Sequence, residues 1–136
     1  MTAVFADTFY WIALINPRDS RHDAVLEYSR SLGSRLVLTT DEVLTELLAF
    51  CAADPQLRLE AALAVRDILA SKGVRVAPQS RESFLSGLAL YQSRPDKGYS
   101  LTDCISMQTM RHEGVTEALT NDRHLGQEGF RALFRV

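Results

Sequence analysis

Apolar residues recur along the chain in two rhythms, short unbroken runs and longer stripes at helical spacing, and the two alternate from one end to the other. The first run, Val4-Phe5-Ala6, is closed abruptly by Asp7-Thr8. Such a run reads as a buried parallel strand whose last residue emerges at the C-terminal edge of a sheet. Phe9 to Ile15 reads as a short helix stopped before Pro17, because the residue preceding proline disfavours helix. Ser20 with Asp23 predicts a capped N-terminus for a helix running through Ala24, Val25, Leu26 and Tyr28 to Gly33. Arg35 to Leu38 is the second predicted strand. Thr39 and Glu42 match a capping box, which predicts a helix carrying Val43, Leu44, Leu47, Leu48 and Cys51 on one face and Glu46 at its margin.

Asp54-Pro55 pairs an N-cap with a proline suited to the first helical position, and the stripe Leu59, Leu63, Val65, Ile68 and Leu69 ends at Lys72-Gly73. Val74 to Ala77 is a third strand, expected at or near a sheet edge because it is short and carries Arg75. Pro78 to Ser80 open a helix through Phe84, Leu88 and Leu90, and Ser93 to Gly98 form an exposed turn. Ser100-Leu101-Thr102-Asp103 starts the next helix, with Cys104, Ile105, Met107 and Met110 as its apolar side and Gly114 as its stop. Val115 to Thr120 is the fourth strand, followed at once by Asn121-Asp122. Leu133 to Val136 is expected to add a final edge strand. Strands separated by helices in this order predict an α/β fold with a parallel sheet, right-handed crossovers and helices on both faces.

Composition narrows the class. With 136 residues the chain is expected to form one domain, 1–136, large enough to bury roughly two thirds of its extended surface. Fifteen Lys and Arg against seventeen Asp and Glu leave a formal charge of -2, so the overall field does not attract a polyanion. Nucleic acid would have to be held by local basic residues or bound cations. Cys51 and Cys104 lack zinc-type spacing and fall in apolar helical patterns, which predicts buried free thiols in a reducing compartment. The N-terminus has no basic region ahead of an apolar one, and no window approaches the ~20 apolar residues of a membrane span. A cytoplasmic location is the expectation.

The chemistry lies in four acids. Asp7 and Asp122 each end a strand, Asp103 begins a helix, and Glu46 lies about a turn into one. Adjacent strands would bring all four to the sheet edge where α/β proteins bind ligands. Carboxylates that converge repel one another, so protons or cations must neutralise them. Hard divalent ions such as Mg²⁺ or Mn²⁺ suit oxygen donors, and two of them about 3.5–4 Å apart can promote phosphodiester cleavage. Each acid has a plainer reading as well. Asp7 suits an N-cap, Asp103 a helix dipole, and Asp122 a turn. Their joint occurrence at the ends of successive units favours the metal site.

Other polar groups are weaker candidates. Arg18, Arg21, His22, Arg94, Lys97, Arg123 and His124 are candidates for phosphate contacts, although scattered cations are usually only solvated charge. Tyr10 and Trp11 suit base stacking, with core or dimer packing favoured at this position. His112 and His124 lack the spacing of a zinc site and are assigned no catalytic role.

At this point four stretches carry a resemblance: Val4 to Thr8, Thr39 to Leu47, Tyr99 to Cys104, and Ala118 to Leu125. In order and separation they resemble the signatures of PIN-domain ribonucleases, in particular the VapC toxins of bacterial toxin-antitoxin pairs. Gln127-Glu128-Gly129-Phe130 with Leu133 is similar to the family's C-terminal Gly-Phe and Leu. The resemblance implies a three-layer α/β/α sandwich with sheet order 3-2-1-4-5, and an acidic quartet of Asp7, Glu46, Asp103 and Asp122 binding Mg²⁺ or Mn²⁺ for endonucleolytic RNA cleavage. It implies a supporting hydroxyl from Thr8, Ser100 or Thr102. Asn121 and Asp122 compete for the fourth position, and the family pattern favours Asp122. Leu125 stands where many relatives carry Phe, a change expected to affect packing. The resemblance further implies a homodimer and a small VapB-like antitoxin that covers the site.

Two rival functions remain in view. A non-catalytic module binding RNA or protein would have no need of mutually repelling acids. An aspartyl-phosphate hydrolase needs a second Asp two residues after the first, where Phe9 stands, and a receiver domain needs a late Lys, while no Lys follows Lys97.

Overall fold

A computed structural model of the chain describes residues 2–134. Its elements are β1 (Val4–Ala6), α1 (Thr8–Ile15), α2 (His22–Ser31), β2 (Val37–Thr40), α3 (Asp41–Phe50), α4 (Pro55–Ala70), β3 (Val74–Ala77), α5 (Arg81–Ser93), α6 (Leu101–Glu113), β4 (Glu117–Leu119), α7 (Arg123–Gln127) and β5 (Arg131–Ala132). All four strand pairings are parallel, and the five strands lie in the order β3-β2-β1-β4-β5. The predicted α/β class, the strand order implied by the resemblance, and the edge position of β3 therefore hold.

β1 is central because it is apolar on both faces, and Val4, Phe5 and Ala6 are completely buried. Its neighbours in sequence and in space diverge. The chain moves outward from β1 through β2 to β3, then returns across the sheet to β4 on the other side of β1. With right-handed crossovers, α1 to α4 and α5 with α6 fall on opposite faces. The direction of winding thus reverses between β1 and β4, and the C-terminal ends of those two strands frame the crevice in which such sheets bind ligands. The register Ala6 opposite Leu119 brings the residues that follow, Asp7 and Thr120, side by side.

Local chemistry accounts for most element boundaries. Asp54 accepts hydrogen bonds from the backbone of Gln56 and Leu57 with Pro55 at the first helical position, as expected. Ser80 and Ser83 cap α5 reciprocally. Gly114 ends α6 in the left-handed region at φ 69°, where a side chain would be strained. Cys51 and Cys104 are buried and free, and burial pushes both thiols up.

Several boundaries differ from expectation. β2 is displaced two residues beyond the predicted Arg35 to Leu38, because Thr39 and Thr40 continue the strand rather than open the helix. Both are buried β-branched residues. The Thr39 hydroxyl is satisfied inside the sheet by donating to the Ala6 carbonyl at 2.9 Å. The N-cap of α3 is consequently Thr40, which accepts from Val43 N, and the Thr39 to Glu42 capping box is absent. Ser20 does not cap α2. Side chains of Asn16 and Asp19 instead accept from the backbone of Arg18 and Arg21, forming two successive turns that delay the helix to His22. β4 is shorter than Val115 to Thr120, since Met110 O takes Val115 N into the helix end. The last strand falls at Arg131–Ala132, ahead of the predicted Leu133 to Val136, of which Arg135 and Val136 lie outside the described residues.

Candidate metal centre

Asp7 follows β1 and caps α1. Its Oδ1 accepts from Thr8 N at 2.8 Å, and its Oδ2 accepts from the Thr120 hydroxyl at 2.9 Å. Desolvation pushes this carboxyl up to about 6, against the lowering effect of those two hydrogen bonds, and the nearby charges of Asp103 and Glu46 add to the rise. Asp7 thus feels the charges of two of the other three acids through space. Glu46, in the second turn of α3, is exposed and accepts a hydrogen bond from the hydroxyl of Thr8, so the residue after Asp7 ties α1 to α3.

Asp103 occupies the third position of α6. Its Oδ2 accepts from Ser100 N at 3.0 Å, while the Ser100 hydroxyl accepts from Asp103 N at 3.0 Å. This reciprocal cap fixes the carboxylate without neutralising its charge. Asp122 caps α7 through Oδ1, which accepts from His124 N at 2.9 Å. The loop before it is held by Thr120, whose hydroxyl accepts from Asp122 N at 3.1 Å. Thr120 is fully buried and therefore joins the acid ending β1 to the acid following β4.

The four predicted acids are brought to one edge but not into one uniform cluster. Among the described residues, a close group able to hold a metal ion comprises Asp103, Asp122 and His124, each offering a donor atom within 4.8 Å of the others. His124 Nδ1 lies 3.4 Å from Asp122 Oδ1 and 3.6 Å from Asp103 Oδ2. That nitrogen is buried and has no hydrogen-bond partner among the described residues. Two carboxylates with an orphaned imidazole nitrogen aimed between them form a donor set that suits a divalent cation.

The supporting residues divide. Thr8 and Ser100 bond to members of the acidic group, whereas Thr102 lines a neighbouring groove of about 490 Å³ with Glu42, Gln79, Ser80, Arg81, Phe84, Leu101 and Ile105. Asn121 is exposed. Tyr10 and Trp11 are core residues, 2% and 4% exposed, and Trp11 Nε1 donates to Thr39, so neither is free to stack on a base. Arg94 is engaged by Glu128, His22 Nδ1 contacts the Ala13 carbonyl at 2.7 Å, Lys97 lies 3.9 Å from Asp96 and Arg18 pairs with Asp54. Arg123 is exposed beside Asp122.

The sequence assigns Thr120 no part in this geometry and names His124 only as a candidate phosphate contact. Thr120 carried a faint signal, a hydroxyl residue between a buried strand and an acid. His124 lacks zinc spacing to another histidine, and the structure sets its ring instead beside the carboxylate two residues before it.

Comparison with known proteins places the chain. The PIN domain family model matches residues 4–129. VapC20 of Mycobacterium tuberculosis, a sarcin-ricin loop cleaving toxin, is 27% identical and superposes with a TM-score of 0.83 over 94% of this chain and 96% of its own. VapBC2 from Rickettsia felis, solved bound to a DNA fragment from its promoter, is 13% identical with a TM-score of 0.70 over 96% and 97%. FitAcB from Neisseria gonorrhoeae is 14% identical with a TM-score of 0.64 over 95% and 94%. No curated protein matches the sequence. A match that runs from the first residue of β1 to beyond α7, together with the shared five-stranded topology, establishes that the chain belongs to the PIN domain family and resembles its VapC-type members.

Proposed function

We propose that the protein is a divalent-metal-dependent endoribonuclease of the VapC type, the toxin of a type II toxin-antitoxin pair, carried in a single domain of residues 1–136. The observation that carries this reading is the convergence of acids at the β1/β4 crevice, where burial, with smaller contributions from the charges of Asp103 and Glu46, raises the Asp7 carboxyl to about 6. Surplus negative charge at a sheet edge is costly, and a cation offsets it.

In this reading Asp7, Glu46, Asp103 and Asp122 are the catalytic acids and hold Mg²⁺ or Mn²⁺. When bound, the ion supplies Lewis acidity toward a phosphodiester and water. The chain's own contribution is placement. Ser100 holds Asp103, Thr8 holds Glu46, and Thr120 holds both Asp7 and the loop carrying Asp122. Below about pH 6 Asp7 keeps a proton, which relieves repulsion when no cation is present.

RNA is the proposed substrate, a choice supported by the 27% identity to a toxin that cleaves the sarcin-ricin loop. Exposed Arg123, next to Asp122, is suited to a phosphate contact. A small VapB-like antitoxin and a second copy of the chain are the proposed partners. Phe50, Leu59, Leu63 and Leu69 are each more than half exposed on α3 and α4, an apolar surface of the kind protein partners cover. No described helix is long and apolar enough to cross a membrane, and the proposed site of action is the cytoplasm, where RNA and antitoxin meet.

The decisive experiment is cleavage of total cellular RNA by purified, partner-free protein with Mg²⁺ or Mn²⁺ against chelator, wild type beside Asp103→Asn. Discrete fragments that require both metal and Asp103 support the reading. No cleavage by folded protein assigns the fold to a non-catalytic binding module instead.

A further inference from the structure

We propose that His124 is a nitrogen ligand of the divalent ion held by Asp103 and Asp122, and that this mixed imidazole and carboxylate set takes Mn²⁺ in preference to Mg²⁺. The inference rests on the metal-dependent reading above and adds to it a residue outside the acidic quartet.

The starting point is an unsatisfied atom. His124 Nδ1 is buried yet makes no hydrogen bond within the described residues. Buried polar atoms are almost always paired, because leaving one bare forfeits its hydration. Its nearest acidic neighbours are Asp122 Oδ1 at 3.4 Å and Asp103 Oδ2 at 3.6 Å, beyond the usual 2.7–3.2 Å range for an N–H···O bond. The same spacing suits donors that share an ion. Neighbouring donors on a six-coordinate ion with bonds of about 2.1 Å stand roughly 3 Å apart, and opposite donors roughly 4 Å apart. The two distances from Nδ1 fall in that interval, and each of the three residues offers a donor atom within 4.8 Å of the others.

The ring is also held in place from behind. Tyr99 meets it edge to face with centroids 5.2 Å apart, and the Tyr99 hydroxyl donates to Glu128 Oε2 at 2.9 Å. Glu128 is in turn clamped by Arg94 at 3.0 Å and Arg111 at 2.9 Å. Tyr99 and Glu128 are thus positioning residues for the imidazole. Mg²⁺ favours oxygen donors and water, whereas an imidazole shifts a site toward first-row transition ions, so the nitrogen discriminates between the two metals.

The test is pulsed electron paramagnetic resonance of Mn²⁺ added to the metal-free wild type, His124→Gln and Asp103→Asn proteins, alongside calorimetric titration with Mn²⁺ and Mg²⁺. A ¹⁴N coupling characteristic of imidazole is expected in the wild type and absent in His124→Gln. That variant should bind Mn²⁺ about tenfold more weakly and Mg²⁺ with a smaller change. Mn²⁺ bound in an Asp103-dependent manner without nitrogen coupling overturns the role of His124 and leaves the metal-nuclease reading standing. Wild type that binds neither ion at this site overturns both. Because the nitrogen signal is read in the unaltered protein, the result does not depend on how well the variants fold.

Discussion

Thr120 and Asp7 are separated by 113 positions in the chain and joined by one hydrogen bond, the Thr120 hydroxyl donating to Asp7 Oδ2 at 2.9 Å. The Thr120 hydroxyl oxygen also accepts from Asp122 N at 3.1 Å, so a single buried hydroxyl ties together the ends of β1 and β4. Replacing it with valine keeps the shape and removes both bonds. Thr120→Val should cost about 2 kcal/mol of stability, since it leaves a backbone N–H and a carboxylate oxygen without their partner. It should also push the Asp7 carboxyl further up, because a hydrogen bond favouring the charged form is gone. Denaturant unfolding and carboxyl NMR titration measure the two effects. An unchanged Asp7 titration would remove Thr120 from the site.

Asp7 makes the metal-free protein sensitive to pH in an unusual direction for an acid. Its folded carboxyl titrates near 6, chiefly because burial disfavours the charge, against 3.8 for the free group. The folded state therefore holds this proton more tightly than the unfolded state does. Its stabilising contribution is fully present below about pH 3.8 and is lost as pH rises through about 6. In chelator, Asp7→Asn should melt above wild type at pH 7, with the gap closing toward pH 4. A gap that does not vary with pH contradicts the desolvated carboxyl.

Asp103→Asn retains the size of the side chain and its capping oxygen while removing a charge. RNA cleavage should fall by roughly a hundredfold or more, because the proposed ion loses a ligand, while thermal stability without metal stays equal or rises as repulsion is relieved. Parallel cleavage assays and melting curves distinguish this from a folding defect. Full activity in the variant would sink the assigned site.

Glu128 works in the opposite sense. Burial alone would raise its carboxyl, but hydrogen bonds from Arg94, Arg111 and Tyr99 overrule that and hold it at about 2, below the ordinary 4.5. This contribution is present above about pH 4.5 and lost as pH falls toward 2. Glu128→Gln should lower stability at pH 7 by about 2 kcal/mol, a figure kept modest because both arginines are well exposed. The difference from wild type should narrow in acid, which a pH series of unfolding curves would reveal.

Gly87 on α5 lies tightly against Ile105 on α6. A Cβ there would meet Ile105 Cγ1 at 2.4 Å and its backbone nitrogen at 3.2 Å. Alanine favours a helix over glycine by about 1 kcal/mol, and overpacking costs about 1–3 kcal/mol. Contact with backbone decides the balance against alanine. Gly87→Ala should melt below wild type and Gly87→Val lower still; a stabilised alanine variant would show that the two helices can separate freely.

What the sequence determined by itself was much of what neighbours a few positions away govern. The apolar run ending at Asp7, the Asp54-Pro55 start, the Ser100 to Asp103 cap and the Gly114 stop were legible because strand alternation, capping and left-handed turns are local. The alternation of strands and helices then fixed a parallel α/β sheet, and the ends of its strands pointed to the acids. The start of α2 departed locally, because Asn16 and Asp19 rather than Ser20 take up the backbone before it, whereas the β2/α3 boundary departed because a polar side chain found its partner far along the chain. Thr39 looked like a helix cap until the Ala6 carbonyl, 33 positions earlier, satisfied its hydroxyl within the sheet. Arg94, one of the candidate phosphate contacts, is held instead by Glu128. Only the tertiary structure decided that Thr120 links two acids and that His124 faces Asp103 and Asp122. The physical reason is that the free energy of a polar group depends on whether it is buried and with what, and burial is set by segments that meet only after the sheet has closed around β1.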